Sequence, residues 1–168
     1  METAAFILAI VGTVTGGGSL AWNVWSFYLS GPRVTVELEA GRMGPAGVLT
    51  YPFKANLVRF RSDEYPVALL VVTASNSGRL PIAVTKWAIH LGEATFFLPD
   101  PPNSPALPHV LGVGETASWY MPVHEVRAAR AGVEAVMPAV TELRASVSLA
   151  NGRRCESDAH PADAALED

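Results

Sequence analysis

Hydrophobic side chains follow two patterns along the chain, one continuous and one alternating. Residues 4–29 contain no Asp, Glu, Lys, Arg or His. As an α-helix this run would extend about 39 Å at about 1.5 Å per residue, which is enough to cross the hydrocarbon core of a bilayer. A single apolar run can satisfy its backbone polar groups in lipid only as a helix. The pattern therefore predicts a transmembrane helix, with residues 1–32 forming an N-terminal anchor.

Aromatic residues mark the C-terminal end of this predicted span. Trp22, Trp25 and Tyr28 cluster there, and Gly31-Pro32 follows as a helix stop. Amphipathic rings favour the headgroup region of a bilayer. We expect these three side chains to anchor the helix at one membrane interface.

Two alternatives to a retained anchor remain open. The first is a cleaved secretory signal, because Ser19-Leu20-Ala21 resembles a small-x-small cleavage site. Only Met1, Glu2 and Thr3 precede the apolar run, so the basic region that a signal peptide needs is missing. The second is a segment packed against another protein. The retained anchor is the favoured interpretation.

The span also contains a small-xxx-small spacing. Gly12 and Gly16 are four residues apart, which would let two helix backbones approach closely. They are candidates for a homodimer contact through the membrane helix. The alternative is a glycine-rich span that faces lipid.

Positive charge beside the span predicts its orientation. No Lys or Arg precedes it, whereas Arg33 and Arg42 follow within the range where positive charge is retained on the cytoplasmic side. The chain is therefore expected to be a single-pass protein of the cell membrane with a cytoplasmic C-terminal domain. The single cysteine, Cys155, agrees with a reducing compartment.

After the anchor the hydrophobic pattern changes to period two. Residues 34–39 alternate as a half-buried strand does, and residues 67–74 form the continuous aliphatic run expected of a strand buried on both faces. Asn151-Gly152 is a type I′ hairpin signal after the alternating residues 142–149. Further strands are predicted at residues 55–61, 81–91, 94–98 and 115–121, and a short helix at residues 122–131.

These elements predict a mainly β fold, an N-terminal transmembrane helix followed by an antiparallel, immunoglobulin-like β-sandwich with one short helix. The sandwich would occupy residues 33–156. Residues 157–168 would form the tail that follows it. Together with Glu156, they carry five acidic side chains and no Lys or Arg. Their acidic, alanine-rich composition predicts a disordered tail.

Charge and cysteine content exclude several classes of function. Removing Glu2 and the five C-terminal acids from the 16 acidic residues leaves 10, against 12 basic ones, so the sandwich is nearly neutral. Such a balance gives no basic face for nucleic acid. A single cysteine permits neither an internal disulfide nor a zinc site built on several thiolates.

Candidate chemistry is sparse. The four histidines lack metal-ligand spacing, and no Gly-x-Ser-x-Gly nucleophile motif occurs. We therefore predict no catalytic residue, no metal site and no cofactor. An alternative is an enzyme or small-ligand receptor whose site assembles from loops, with Asp100, His109, His124 and Glu125 as its residues, because sequence spacing does not test such an arrangement.

The order of these features resembles a broad set of uncharacterised bacterial, especially actinobacterial, single-pass membrane proteins. The resemblance is carried by residues 22–28 (WNVWSFY), 30–34 (SGPRV) and 76–82 (NSGRLPI). It implies a membrane location and a small β-sandwich domain, and it implies no activity. The sequence as a whole favours a membrane-anchored interaction module that contacts the lipid bilayer and a protein partner.

Overall fold

The first element is a long apolar helix. The structure, a computed structural model, describes residues 2–29, 31–52, 64–97, 103–136 and 140–166. Helix α1 (Glu2–Leu29) contains a 21-residue stretch, Phe6–Ser26, that is long and apolar enough to cross a membrane, and none of it is buried against the rest of the chain. A single such helix near an N-terminus also fits a signal sequence.

The rest of the described chain is mainly β-structure. Its strands are β1 (Val34–Gly44), β2 (Gly47–Pro52), β3 (Val67–Asn76), β4 (Ile82–Leu91), β5 (Ala94–Phe96), β6 (His109–Leu111), β7 (Thr116–Pro122), β8 (Glu142–Leu149), β9 (Arg154–Glu156) and β10 (His160–Pro161). Its helices are α2 (Val123–Glu134) and α3 (Ala162–Leu166). The predicted strand at residues 55–61 lies outside the described residues.

The strands form two antiparallel sheets. One has the order β2-β1-β3-β7. The other has the order β10-β8-β4-β5, with β6 also paired to β4 and β9 to β8. Buried side chains of both sheets belong to one hydrophobic cluster, so the sheets pack face to face. The prediction of a mainly β, two-sheet fold is confirmed, and the immunoglobulin-like subdivision stays a prediction.

Strand β3 lies at the centre of the first sheet, between β1 and β7. Leu70, Val72 and Ala74 face the core, and Leu69 and Val71 are also buried on the opposite face. The continuous aliphatic run thus forms a strand covered on both sides, as predicted. On the other side of the core, the second sheet contributes buried side chains that include Val84, Trp87, Ile89, Leu143 and Val147.

The strand directions define two ends of the sandwich. At the α1 end, β1 begins and residues 31–33, 77–81 and 112–115 are joined by hydrogen bonds at the end of β3. The loop at residues 150–153 lies at the same end of the second sheet. At the α2 end, α2 follows β7 and buries Val123 and Val126 in the core. Helix α2 runs three residues past the predicted end at residue 131, and in these residues Val133 packs against the core and Glu134 pairs with Arg130 at 2.7 Å.

The prediction of a disordered tail is wrong for the described residues 157–166. Ser157 is buried, and its hydroxyl accepts a hydrogen bond of 2.9 Å from the Ala145 amide. Ala162 and Leu166 lie one turn apart on α3 and are both buried in the core cluster. Acidic composition pointed to disorder, but these two apolar side chains share one helix face and close the α2 end.

The turn after β8 also differs from the prediction. Gly152 has a φ of +80°, whereas Asn151 does not have the positive φ that a type I′ turn requires. The Leu149 amide donates to the Arg153 carbonyl and the Gly152 amide to the Leu149 carbonyl. The loop is therefore three residues long, with glycine in its left-handed position.

Candidate functional site: the junction of helix and sandwich

The aromatic residues predicted to lie at the membrane interface occupy the last turns of α1. The side chains of Trp22 and Trp25 are exposed. Tyr28 also belongs to α1, and its side chain lies outside the described set. A Cβ added at Gly12 or Gly16 would meet nothing within 4 Å, so no contact with the described part of the chain requires glycine there. The dimer contact through these two glycines stays a prediction.

The segment between helix and sandwich is fixed to the sandwich by backbone hydrogen bonds. The Ser77 amide donates to the Arg33 carbonyl at 2.9 Å, and the Arg79 amide donates to the Gly31 carbonyl at 3.4 Å. Any Cβ at Gly78 would collide with backbone atoms of residues 31–33. Glycine at position 78 is therefore what lets this segment lie directly on the turn after β3.

Asn76 is the centre of this junction. Its side-chain oxygen accepts hydrogen bonds from the Gly78 amide at 3.0 Å and the Arg33 amide at 3.3 Å. Its side-chain amide donates to the carbonyls of Leu80, Leu111 and Gly112 at 2.9 to 3.2 Å. Asn76 is only 1% exposed. One buried side chain thus ties together three segments of the α1 end.

The two arginines predicted to set the orientation lie in different environments. Arg33 is exposed in the segment that follows α1. Arg42 is buried towards the α2 end of β1, where its guanidinium donates to the Tyr65 carbonyl at 3.0 Å. Arg33 is thus placed beside the helix, whereas Arg42 is part of the folded sandwich.

The residues proposed for a loop-built site are spread over the sandwich. His109 on β6 lies 3.7 Å from Glu115 and edge-on to the Trp119 ring. His124, at the start of α2, is exposed and lies 3.7 Å from Glu125. Because β6 pairs with the first half of β4 while α2 follows the far end of β7, the two histidines lie towards opposite ends. Asp100 lies outside the described residues.

A cluster that the sequence analysis missed lies on the outer face of the second sheet. His90 Nε2 is 2.8 Å from the Ser146 hydroxyl, and His90 Nδ1 is 3.1 Å from the Thr95 hydroxyl. The Arg154 guanidinium also contacts the imidazole ring. The pairing of β4 with β8 places His90 diagonally opposite Ser146, although the two residues are 56 positions apart in the sequence.

The environment of His90 favours the neutral form of its imidazole ring. Burial and, next, the positive charge of Arg154 lower the pKa of His90 below its ordinary value. A catalytic base paired with serine is normally oriented by a carboxylate, but here a hydroxyl and a guanidinium hold the ring. Ser146 is itself buried. The contacts of the cluster hold the imidazole ring against the outer face of the second sheet.

Within residues 2–29, 31–52, 64–97, 103–136 and 140–166 there is no group of three or more His, Cys, Asp or Glu side chains placed to hold a metal ion. The free thiol of Cys155 lies half-buried against the core cluster.

Comparisons with known proteins add no relative. No family model matches the chain, and no match is found among curated proteins or solved structures.

Proposed function

We propose that this protein is a single-pass membrane protein whose cytoplasmic β-sandwich binds a protein partner close to the membrane surface. The observation that carries the proposal is the junction. An unburied apolar helix leads, after four residues, into a sandwich whose turn at residues 77–79 is hydrogen-bonded to the connecting segment. Such a connection holds the sandwich beside the end of the helix.

A retained anchor accounts for this arrangement better than a cleaved signal does. Cleavage after Ala21 would leave Trp22 and Trp25 exposed to water at the new N-terminus. In the retained form the same rings lie where a bilayer interface would receive them. The interaction with lipid then explains why none of the apolar stretch is buried by the chain itself.

For the protein partner, the edge of β2 offers a surface. Among the described residues β2 pairs only with β1, and its Leu49 side chain is exposed. An unpaired strand edge can accept another strand through main-chain hydrogen bonds. The far edge of the same sheet is different, because the Ser104 hydroxyl accepts a hydrogen bond from the Tyr120 amide of β7.

Orientation and partner binding can be tested in intact cells. A Val136→Cys variant in a Cys155→Ser background places a reactive thiol at a residue that is 82% exposed. A membrane-impermeant maleimide should label it only after the cells are lysed. Efficient labelling of intact cells would contradict the cytoplasmic orientation.

The partner is tested by photo-crosslinking from position 49. A photoreactive residue replacing Leu49 should give one discrete crosslinked product that is lost when β2 is shortened, and the same residue at position 136 serves as the control. Absence of a discrete product from both positions would contradict an interaction module.

A further inference from the structure

Exposed apolar side chains stand at the tips of two loops of the α1 end. Leu80, in the turn after β3, is 50% exposed, and Val113, in the loop between β6 and β7, is 61% exposed. The two loops are held together by Asn76, which donates hydrogen bonds to Leu80 and Gly112. Their tips therefore belong to one fixed surface.

Three arginines lie at the same end of the sandwich as these tips. Arg33, Arg79 and Arg153 are all exposed at this end, and no ion pair to their guanidinium groups occurs within the described ranges. The one acidic residue in the adjoining loop, Glu115, turns back on its own loop, where its carboxylate accepts a 2.7 Å hydrogen bond from the Gly112 amide. The surface is thus apolar and positively charged.

The α2 end has the opposite character. It carries Glu125, Glu134, Glu142 and Asp163. Its basic side chains include Arg127, Arg130 and Arg144. Arg130 is paired with both Glu134 and Asp163, and Arg144 with Glu142. The two ends therefore differ in charge, and the exposed arginines without an ion pair to the described residues lie at the end from which α1 leaves.

The length of the connection limits how far the α1 end can be from the membrane. Only residues 30–33 separate Leu29 from Val34. A fully extended chain spans at most about 3.5 Å per residue, so the two elements are within about 18 Å of each other. The hydrogen bonds from residues 77 and 79 to residues 31 and 33 shorten the free part further. A bilayer crossed by α1 is thus the surface nearest to Leu80 and Val113.

We propose that the α1 end of the sandwich docks on the bilayer itself, with Leu80 and Val113 entering the headgroup region and Arg33, Arg79 and Arg153 binding anionic lipid headgroups. The inference rests on the proposed membrane anchoring and adds a second lipid contact, which fixes the tilt of the sandwich. Basic residues close to a membrane are attracted by the negative surface potential of anionic lipids. Exposed apolar tips among them bury against the acyl boundary.

The test uses the full chain in lipid nanodiscs. An environment-sensitive fluorophore is attached at Val113→Cys in a Cys155→Ser background, and Val136→Cys at the α2 end is the matched control, since both are exposed valines. The discs contain either phosphatidylcholine alone or phosphatidylcholine with phosphatidylglycerol. Quenching by acrylamide, an uncharged aqueous quencher, is measured for each.

At position 113, quenching should fall at least about twofold on adding phosphatidylglycerol, whereas position 136 should not change, because surface attraction decays within about 8 Å at physiological salt. Arg79→Ser with Arg153→Ser should abolish the fall. The control variant, Lys86→Ser with Arg144→Ser, removes the same amount of charge from the outer face of the second sheet. In this variant, quenching at position 113 should still fall on adding phosphatidylglycerol. Thermal unfolding verifies that each variant is folded.

Two failures are distinguishable. If the chain does not co-purify with the discs, membrane anchoring fails, and the docking with it. If it co-purifies but positions 113 and 136 quench alike in both lipids, anchoring stands and the docking is overturned. Protection of position 113 that does not depend on phosphatidylglycerol or on the arginines would overturn the headgroup-binding role.

Discussion

At the scale of single residues, Asn76 shows how much a buried polar side chain can organise. It occupies the last position of a strand whose other buried residues are apolar. Its amide donates to three carbonyls and its oxygen accepts from two backbone amides. The sequence indicates a turn at residues 76–79, but a turn asparagine is normally exposed. Nothing in the local pattern predicts that this one is enclosed by the loop at residues 111–115.

Replacing Asn76 with Ala should lower the free energy of unfolding by at least about 2 kcal/mol, because several buried carbonyls would lose their donor. Asn76→Asp should be as damaging, since it opposes a carboxylate to those carbonyls. Urea denaturation of the full chain in detergent measures both. Ser77→Ala is the control, because its exposed hydroxyl makes a single 3.3 Å hydrogen bond to Arg33. Equal, small effects at positions 76 and 77 would refute the role of Asn76.

Two histidines predict how stability changes with pH. Burial is the largest cause that lowers the pKa of both His90 and His160. The unfolded chain, with a histidine pKa of about 6.5, therefore binds protons more readily than the folded one. Stability is fully present above that pKa and is lost as pH falls below it. Thermal unfolding temperatures should drop between about pH 7.5 and 5.5.

Replacing the two histidines should flatten this pH profile. His90→Gln combined with His160→Gln should show a smaller drop than the parent over the same range. The exposed His124→Gln serves as control and should keep the parent profile. An unchanged slope in the double variant would show that these imidazoles are not responsible.

At the scale of elements, period-two and continuous apolar patterns predicted most strands of the structure. The central strand β3 and the strands β4 and β8 match them within a few residues. The pattern failed where a short segment is ordered only by long-range contact. Residues 157–166 look disordered because their apolar side chains are few, yet Ala162 and Leu166 meet the core. Hydrophobic periodicity also does not predict which strands pair or how the two sheets pack. It therefore could not predict the junction at Asn76.

The C-terminal segment should therefore contribute measurably to stability. Ending the chain at Glu156 removes Leu166 from the core, together with the hydrogen bonds of Ser157 to Ala145. We expect this truncation to lower the free energy of unfolding by about 3 kcal/mol or more. Trp87→Ala, in the centre of the core, should lower it by about 3–5 kcal/mol.

Differential scanning calorimetry compares these variants. Ending the chain at Leu166 is the control, because it keeps every described contact of the segment. If ending at Glu156 proves as harmless as ending at Leu166, the packing of α3 on the core is contradicted.

At the scale of the whole molecule, the account depends on one asymmetry. The apolar helix, three exposed arginines and the exposed loop tips are at one end of the sandwich, and acids that pair with arginines are at the other. The long apolar helix could be predicted from the sequence, because a run of 26 residues without Asp, Glu, Lys, Arg or His is visible without knowledge of the fold. The different charge of the two ends of the sandwich could not be predicted, since the four segments that form the α1 end are far apart in the chain.

The retention of α1 in the membrane is the central claim, and the intact mass of the protein in carbonate-washed membranes tests it most directly. The account predicts the full chain, including residues 2–29, in the carbonate-resistant pellet. Its apolar side chains make extraction into water unfavourable by about 25 cal/mol for each Å² of apolar surface exposed. Protein released into the supernatant, or a mature N-terminus immediately after Ala21, would contradict it.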